Sequence, residues 1–333
     1  MFEKIVMASG IGVLVFSATG IAIARATRRN GVLNREMTRP VAAQLEEEPA
    51  VPEIVPEPAM PAHELGPLAK LSPFGPVALR LLHLWDHEEF ALTEVARLLD
   101  ADPVMASELL ALVNSPLYGV SGTVSSPGHA VSMLGVDSTQ AMATSLAVRI
   151  MAQSIPNKNM VRRVWRHSLA SAVIARRLAS TFQVDGNLAH TAAVLHDLGR
   201  LGLLAAHPSE YGQLATKSYE TVEDIITAEE TEFGMSHCKA GRVIARAWGF
   251  PEIVESVIAH HHERPARRDI LSLVQTSCEL ANSLGFEAIH CWAVGKPVAV
   301  IEARALPECR DEILAALDEI ENTINAHVEE LEF

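Results

Sequence analysis

From Leu71 onward the sequence repeats one pattern: apolar residues recur every three or four positions, in runs closed by Gly, Pro, Ser or Asn. The run "PVALRLLHLW" (Pro76 to Trp85) carries Val77, Leu79, Leu81, Leu82, Leu84 and Trp85, and "LTEVARLLDAD" sets Leu92, Val95, Leu98 and Leu99 on one stripe. No segment alternates apolar and polar residues at the period of a strand, so the chain is restricted to packed helices. Composition agrees: 49% of residues are hydrophobic but only 5% aromatic, so the apolar mass is Ala, Leu, Val and Ile. The predicted fold is all-α, and 333 residues allow more than one core.

Punctuation marks individual helices. Asp102 is placed to cap a helix that opens at Pro103, and "GHAVSMLG" closes at Gly135. Asp137 and Ser138 are expected caps for the next helix. In the second half, "VRRVWRHSLASAVIARRLASTF" and "NLAHTAAVLHDLGRLGLL" each predict one long amphipathic helix, and Gly249 ends a third before Pro251 opens a fourth. The tail from Glu308 predicts an acidic amphipathic helix packed through Ile313, Leu314, Leu317, Ile320, Ile324 and Val328.

The N-terminal region reads differently. Ile5 to Ala24 is twenty residues without a charge, enough to cross a bilayer as a helix. Lys4 precedes it but Arg25, Arg28, Arg29 and Arg35 come after, which orients the C-terminal side toward the cytoplasm. Residues 1–26 are therefore expected to be a single-pass anchor in a bacterial-type cytoplasmic membrane. Residues 27–70, rich in Pro, Glu and Ala, are expected to form a disordered tether. A formal net charge of -14 argues against direct nucleic-acid binding. Cys238, Cys278, Cys291 and Cys309 have no paired spacing, which points to neither a zinc knuckle nor a disulfide framework.

One set of residues carries chemistry. His167, the pair His196-Asp197, His237, and the pair His261-His262 lie on four separate apolar helical segments. Any one such histidine reads most simply as a hydrogen-bonded core or surface residue, and His63, His83, His87, His129, His190, His207, His260, His290 and His327 are read that way. Together, imidazoles and a carboxylate in an apolar setting either bind zinc, iron or manganese or satisfy one another as a polar core network. A metal held there would activate a water against a phosphate ester.

The motifs "DADPVMASELLALVNSPLYG", "SSPGHAVSMLG", "VWRHSLASAVIARRLA", "AVLHDLGRLGLL", "EFGMSHCKAGRVIARAWGFP" and "SVIAHHHE" occur in this order. In them the chain resembles the HDOD family, a signalling-associated relative of the HD metal-dependent phosphohydrolases, from roughly Leu71 to Trp292. The resemblance implies a two-lobed helical domain, 71–292, with a lobe over 71–155, an HD-like lobe over 156–292, and 293–333 as an acidic helical extension. It also implies that the positions of His167, His196, Asp197, His237, His261 and His262 correspond to metal ligands in the HD-GYP relatives, which degrade cyclic-di-GMP. Departures accompany it: Cys278 stands where a ligating Asp is expected, and Arg200 replaces the catalytic Lys while keeping a charge able to contact phosphate. Arg163 lies one turn before His167, and no Gly-Tyr-Pro signature comes after "HHE". Cys278 is an additional candidate ligand. The expectation is a membrane-tethered HDOD regulatory module that binds a signalling protein or small ligand without catalysis, with no catalytic residue assigned. The alternative is an HD-type phosphodiesterase acting on a nucleotide.

Overall fold

Helix caps and glycines set the order of elements in the computed structural model, which describes residues 62–83, 92–120, 122–263, 269–304 and 307–331. The run Ile5 to Ala24 and most of the expected tether lie outside the described residues, among which no helix is long and apolar enough to cross a membrane. A first helical group comprises α1 (Pro76–His83), α2 (Leu92–Asp100), α3 (Pro103–Val113), α4 (Pro127–Leu134) and α5 (Val136–Ala152). A second comprises α6 (Lys158–Phe182), α7 (Gly186–Leu195), α8 (Leu198–Ala206), α9 (Pro208–Leu214), α10 (Val222–Phe233), α11 (His237–Ala247), α12 (Glu252–His260) and α13 (Ile270–Ser283). The extension forms α14 (Pro297–Arg304), α15 (Pro307–Ala315) and α16 (Leu317–Leu331). The described residues contain no strand, only one isolated bridge between Tyr219 and Cys291.

Several expected caps are present. Asp102 accepts from the main-chain N–H groups of Val104 and Met105 at 3.1 Å, satisfying two donors that a helix start leaves open. Gly135 turns the chain with φ 81, a conformation that favours glycine. That single-residue turn places Val136 at the start of α5, so Asp137 and Ser138 lie inside its first turn instead of capping it. Gly249, at φ 66, lies just past the end of α11 as expected.

The apolar core is continuous: α5 of the first group packs on α7 of the second, and α6, the longest helix, packs on α7, α13 and α16. The C-terminal helix buries Ile320, Ile324, Val328 and Leu331, and the Leu331 carbonyl accepts from the buried Trp165 indole at 3.1 Å. The tail is thus helical and packed through the predicted stripe, but divided into α15 and α16.

Two expectations change. Residues 62–70, assigned to the tether, form a short helical segment kinked at Gly66 that packs on α8 and α11. Leu68 and Leu71 are buried, Phe74 stacks near Trp248 and Phe250, and Lys70 Nζ donates to the Ala206 carbonyl at 2.9 Å. Three apolar anchors within seven residues bury enough surface to order a Pro-containing segment. The single helix expected across "NLAHTAAVLHDLGRLGLL" is broken at His196-Asp197, where Asp197 leaves helical geometry at φ -97, ψ 19. Consecutive residues of an unbroken helix do not face the same point, whereas the break lets both side chains turn inward.

Immediately after the break, Gly199 fixes the depth of packing. A Cβ on Gly199 would lie 1.8 Å from the His237 carbonyl oxygen and 2.6 Å from the Gly241 nitrogen, so α8 and α11 cross backbone to backbone. That crossing sets the N-terminus of α11, and with it His237, against Asp197.

Candidate functional site

All six predicted ligand positions meet at one buried centre. His167 comes from the middle of α6, His196 from the end of α7, Asp197 from the start of α8, His237 from the first position of α11, and His261 and His262 from the end of α12. Asp197, His167, His196, His237 and His261 are each at most 2% exposed. Cys278, on α13, joins them with Sγ 3.4 Å from His167 Nε2.

The orientation of the rings is uniform. His167 Nδ1 lies 3.0 Å from the Phe286 carbonyl oxygen, His196 Nδ1 2.6 Å from that of Ala193, and His261 Nδ1 3.0 Å from that of Ile258. His237 Nδ1 lies 2.6 Å from Glu229 Oε2. Each of these partners only accepts, so the proton of each ring is fixed on Nδ1 and a neutral ring presents its Nε2 lone pair to the interior. The four lone pairs converge in two couples: His167 and His196 at 3.2 Å, and His237 and His261 at 3.3 Å.

Asp197 lies between the couples. Oδ2 is 3.7 and 3.8 Å from the Nε2 atoms of His167 and His196, and Oδ1 is 3.6 Å from each of those of His237 and His261. No hydrogen bridges these contacts, because both sides are acceptors. Asp197 Oδ1 has no hydrogen-bond partner, although it is buried, and His262 Nε2 has none either. Arg200 Nε and the weak thiol donors Cys238 and Cys278 answer only part of this set of acceptors, and the unpaired Asp197 Oδ1 and His262 Nε2 are unfavourable unless a cation sits beside them.

The spacing fits such an ion. Two nitrogens each about 2.0–2.1 Å from one tetrahedral ion stand about 3.3–3.4 Å apart, close to both imidazole couples. His237, Cys238, His261 and His262 form one group with ligand atoms within 4.8 Å of one another, His167, His196 and Cys278 form another, and His196, Asp197 and His261 form a third that links the two. Outward hydrogen bonds from each Nδ1 are the arrangement that orients histidine ligands.

Arg200 stands on α8, one turn past Asp197. Its Nε donates to Asp197 Oδ2 at 2.9 Å, and its Nη1 donates to Glu229 Oε1 at 3.1 Å and to the Tyr211 hydroxyl at 3.2 Å. The expected role of Arg200 as a phosphate contact therefore meets a different arrangement: the residue is 5% exposed and its Nε and Nη1 donors are bound inside the protein. Its carboxylate partner Glu229 is fully buried, accepts from the Tyr211 hydroxyl at 2.8 Å, and also accepts from the His237 main-chain N–H at 2.8 Å.

These contacts explain the protonation states. Burial pushes the His167 and His237 rings below their usual pKa, and His196 down to about 3, so they are neutral and ligand-competent. Burial alone would raise Asp197, but Arg200 and the surrounding imidazoles outweigh it and hold the carboxyl well below the usual carboxylate range. For Glu229 the same opposition, with His237 and Arg200 prevailing, leaves a pKa of about 2. Burial raises Cys238 to about 12 and Cys278 well above an ordinary thiol. Both thiols are therefore protonated until an ion displaces the proton.

Three contributors were not legible as site residues. Glu229 sits in "TAEETEF" beside two other acids, half-buried Glu230 and exposed Glu232, and Tyr211 in a short polar helix, so neither has a sequence signal. Cys238 had one: it adjoins His237, and its Sγ lies 3.5 Å from His237 Nε2. Residues set aside stay outside. His260 is paired with Glu263 at the surface, His190 binds Ser145, and Arg163 donates to the Ala215 carbonyl.

Above the cage lies a small void of about 20 Å³ touched by His167, Asp197, Arg200 and Cys278, with room for about one water or ion. Beside it opens a larger cavity of about 310 Å³ whose walls include His262, Glu223, Glu263, Glu279 and Arg304. Arg304 pairs with Glu279, so carboxylates dominate the charge of this cavity.

Fold and site together define an all-helical domain in which separate helices converge histidines and one aspartate on a buried centre. More narrowly, the chain belongs to the HDOD family, whose HDOD domain model matches residues 71–264. A solved HDOD domain protein of unknown function from Geobacter sulfurreducens is 25% identical, covers 81% of this chain and 98% of its own, and superposes with a TM-score of 0.66. A Marinobacter aquaeolei VT8 protein provisionally described as acting in signal transduction is 19% identical over 79% of this chain and 60% of its own, with a TM-score of 0.63. A Shewanella amazonensis SB2B protein provisionally described as a phosphohydrolase is 17% identical over 80% of this chain and 97% of its own, at 0.60. The last two share the fold. An uncharacterized Treponema pallidum protein is 22% identical over 54% of this chain, a match spanning only 35% of that relative's length.

Proposed function

We propose that this chain is an HDOD-type regulatory module whose histidine cage holds a divalent metal as a structural or sensing centre, and which binds a signalling protein or small ligand without turning it over. Asp197 Oδ1, His237 and His261 would hold the ion, with Cys238 and His262 grouped about the same two imidazoles, and this donor set suits zinc, iron or manganese. When bound, such an ion can lower the pKa of a water and polarise a phosphoryl oxygen. The observation that carries a non-catalytic reading is Arg200: its Nε and Nη1 are engaged by Asp197, Glu229 and Tyr211, so these donors are not offered to an incoming phosphate. The acid-lined cavity beside the cage supports the same reading, since it repels the phosphates of a nucleotide. The uncharged run Ile5 to Ala24 is proposed as a single-pass anchor that keeps the module on the cytoplasmic face of a membrane.

The ligand set favours a second reading, an HD-type phosphodiesterase, because every histidine position of that chemistry is filled. One experiment separates the two. The purified full chain is assayed for bound metal by elemental analysis and for hydrolysis of cyclic dinucleotides and a generic phosphodiester, beside the double variant His196→Ala, Asp197→Ala. Bound metal without turnover is the expected result. Turnover that disappears in the double variant would replace the regulatory reading with the enzymatic one.

A further inference from the structure

Asp197 is asymmetric in a way that the two imidazole couples are not. Both couples have spacing suited to an ion, and each faces one oxygen of the same carboxylate. Yet Oδ2 already accepts a charge-assisted hydrogen bond from Arg200 Nε at 2.9 Å, whereas Oδ1 is buried and has no partner. We infer that the Arg200 guanidinium takes the place of a second cation and limits the centre to one metal ion, seated on the Oδ1 side between His237 and His261. The inference rests on the proposed metal-holding role and specifies its stoichiometry and position.

Charge leads to the same result. Asp197 and Glu229 carry two negative charges and Arg200 one positive, so the centre with neutral rings is singly negative. One divalent ion leaves a single positive charge. A second divalent ion on the other couple would compete with the guanidinium for Oδ2 and add two more positive charges to a site that is at most a few per cent exposed. Uncompensated charge at that depth is strongly unfavourable. Glu229 holds the guanidinium from its far side and Tyr211 bonds to both, so Arg200 cannot swing aside without leaving Glu229 buried and unpaired.

The test titrates zinc alone into the metal-stripped full chain in detergent and reads bound zinc per chain by native mass spectrometry. Wild type is expected to bind one zinc, and Arg200→Met, which removes the cation but keeps much of the volume, two. Because Arg200→Met leaves two buried carboxylates facing each other, its fold is checked by circular dichroism, and a second arm stands independently of it. In the wild-type background, His261→Gln is expected to weaken zinc binding by at least about 100-fold, while His167→Gln, on the Arg200 side, changes it by less than about threefold. Two zinc ions in wild type, or equal losses in His261→Gln and His167→Gln, would overturn the inference while leaving the metal-holding role intact. A folded Arg200→Met protein that still binds one zinc would remove Arg200 from the explanation. No zinc binding in wild type would overturn the metal-holding role itself, and this inference with it.

Discussion

The backbone crossing of α8 and α11 makes Gly199→Ala the sharpest test of how the cage is built. The added methyl would meet the His237 carbonyl oxygen at 1.8 Å, the Gly241 nitrogen at 2.6 Å and the His237 carbonyl carbon at 2.7 Å. An ordinary contact of this kind is at least 3.4 Å, so the helices must separate by roughly 1.5 Å. None of the three obstructing atoms belongs to a side chain that could rotate away. Overpacking of this sort typically costs about 1–3 kcal/mol, and rigid backbone on both sides puts this case at the upper end or beyond. For a domain of this size that is a fall of roughly 6–10 °C in Tm. The same separation moves His237 away from Asp197, now 3.6 Å distant, so zinc affinity should drop with stability. Thermal melts in chelator, followed by zinc titration, measure both effects. Gly186→Ala is the control: its Cβ would find neighbours no closer than 3.6 Å, and a change within about 0.5 kcal/mol is expected. A Gly199→Ala protein that melts with wild type and binds zinc equally well would refute the claim that backbone contact sets the geometry of the cage.

Glu229→Gln removes the charge opposite Arg200 and turns an amide toward donors, so a loss of about 3 kcal/mol is expected in urea denaturation. Ile324→Ala, at a fully buried position on α16, should cost about 2–4 kcal/mol by the same assay, and a neutral result would mean that α16 is not part of the folded core. Burial lowers His190 from the usual 6.5 to about 3, so between those values the unfolded chain takes up a proton that the folded chain refuses. That contribution to stability is complete above pH 6.5 and falls as pH drops toward 3, by about 2 kcal/mol at pH 5. His190→Asn should flatten the pH dependence of stability by that amount, measured as the difference between the two proteins from pH 7 to 5.

Much of the helical organisation was readable because it is local. Asp102, Gly135 and Gly249 act within one or two turns, and their residue types determine what they do. That the six candidate residues meet was readable from their order, residue type and family resemblance, though not their distances, which depend on helices far apart in sequence. What escaped depends on contacts between elements. Glu229 is chemically the same as the acids around it, and only the packing of α10 beneath Arg200 makes it a buried partner. Arg200 resembled a phosphate contact because the family resemblance sets it at a catalytic lysine's position and it keeps the charge, while Glu229 and Tyr211 draw it the other way. The break at His196-Asp197 was hidden because apolar periodicity continues across it.

The C-terminal helix has a consequence for where this domain begins and ends as a physical object. The stretch matched by the family model stops at residue 264, yet Phe286 holds His167, Cys278 comes from α13, and Leu331 closes over Trp165. At the other end Leu68 lies against Gly202, before the matched stretch starts. A fragment cut at the family boundaries would expose the faces of α6 and α8 that these residues cover, and should aggregate instead of folding cooperatively. The folding unit is therefore larger than the stretch the family model matches, and any dissection of this protein has to follow its buried surface.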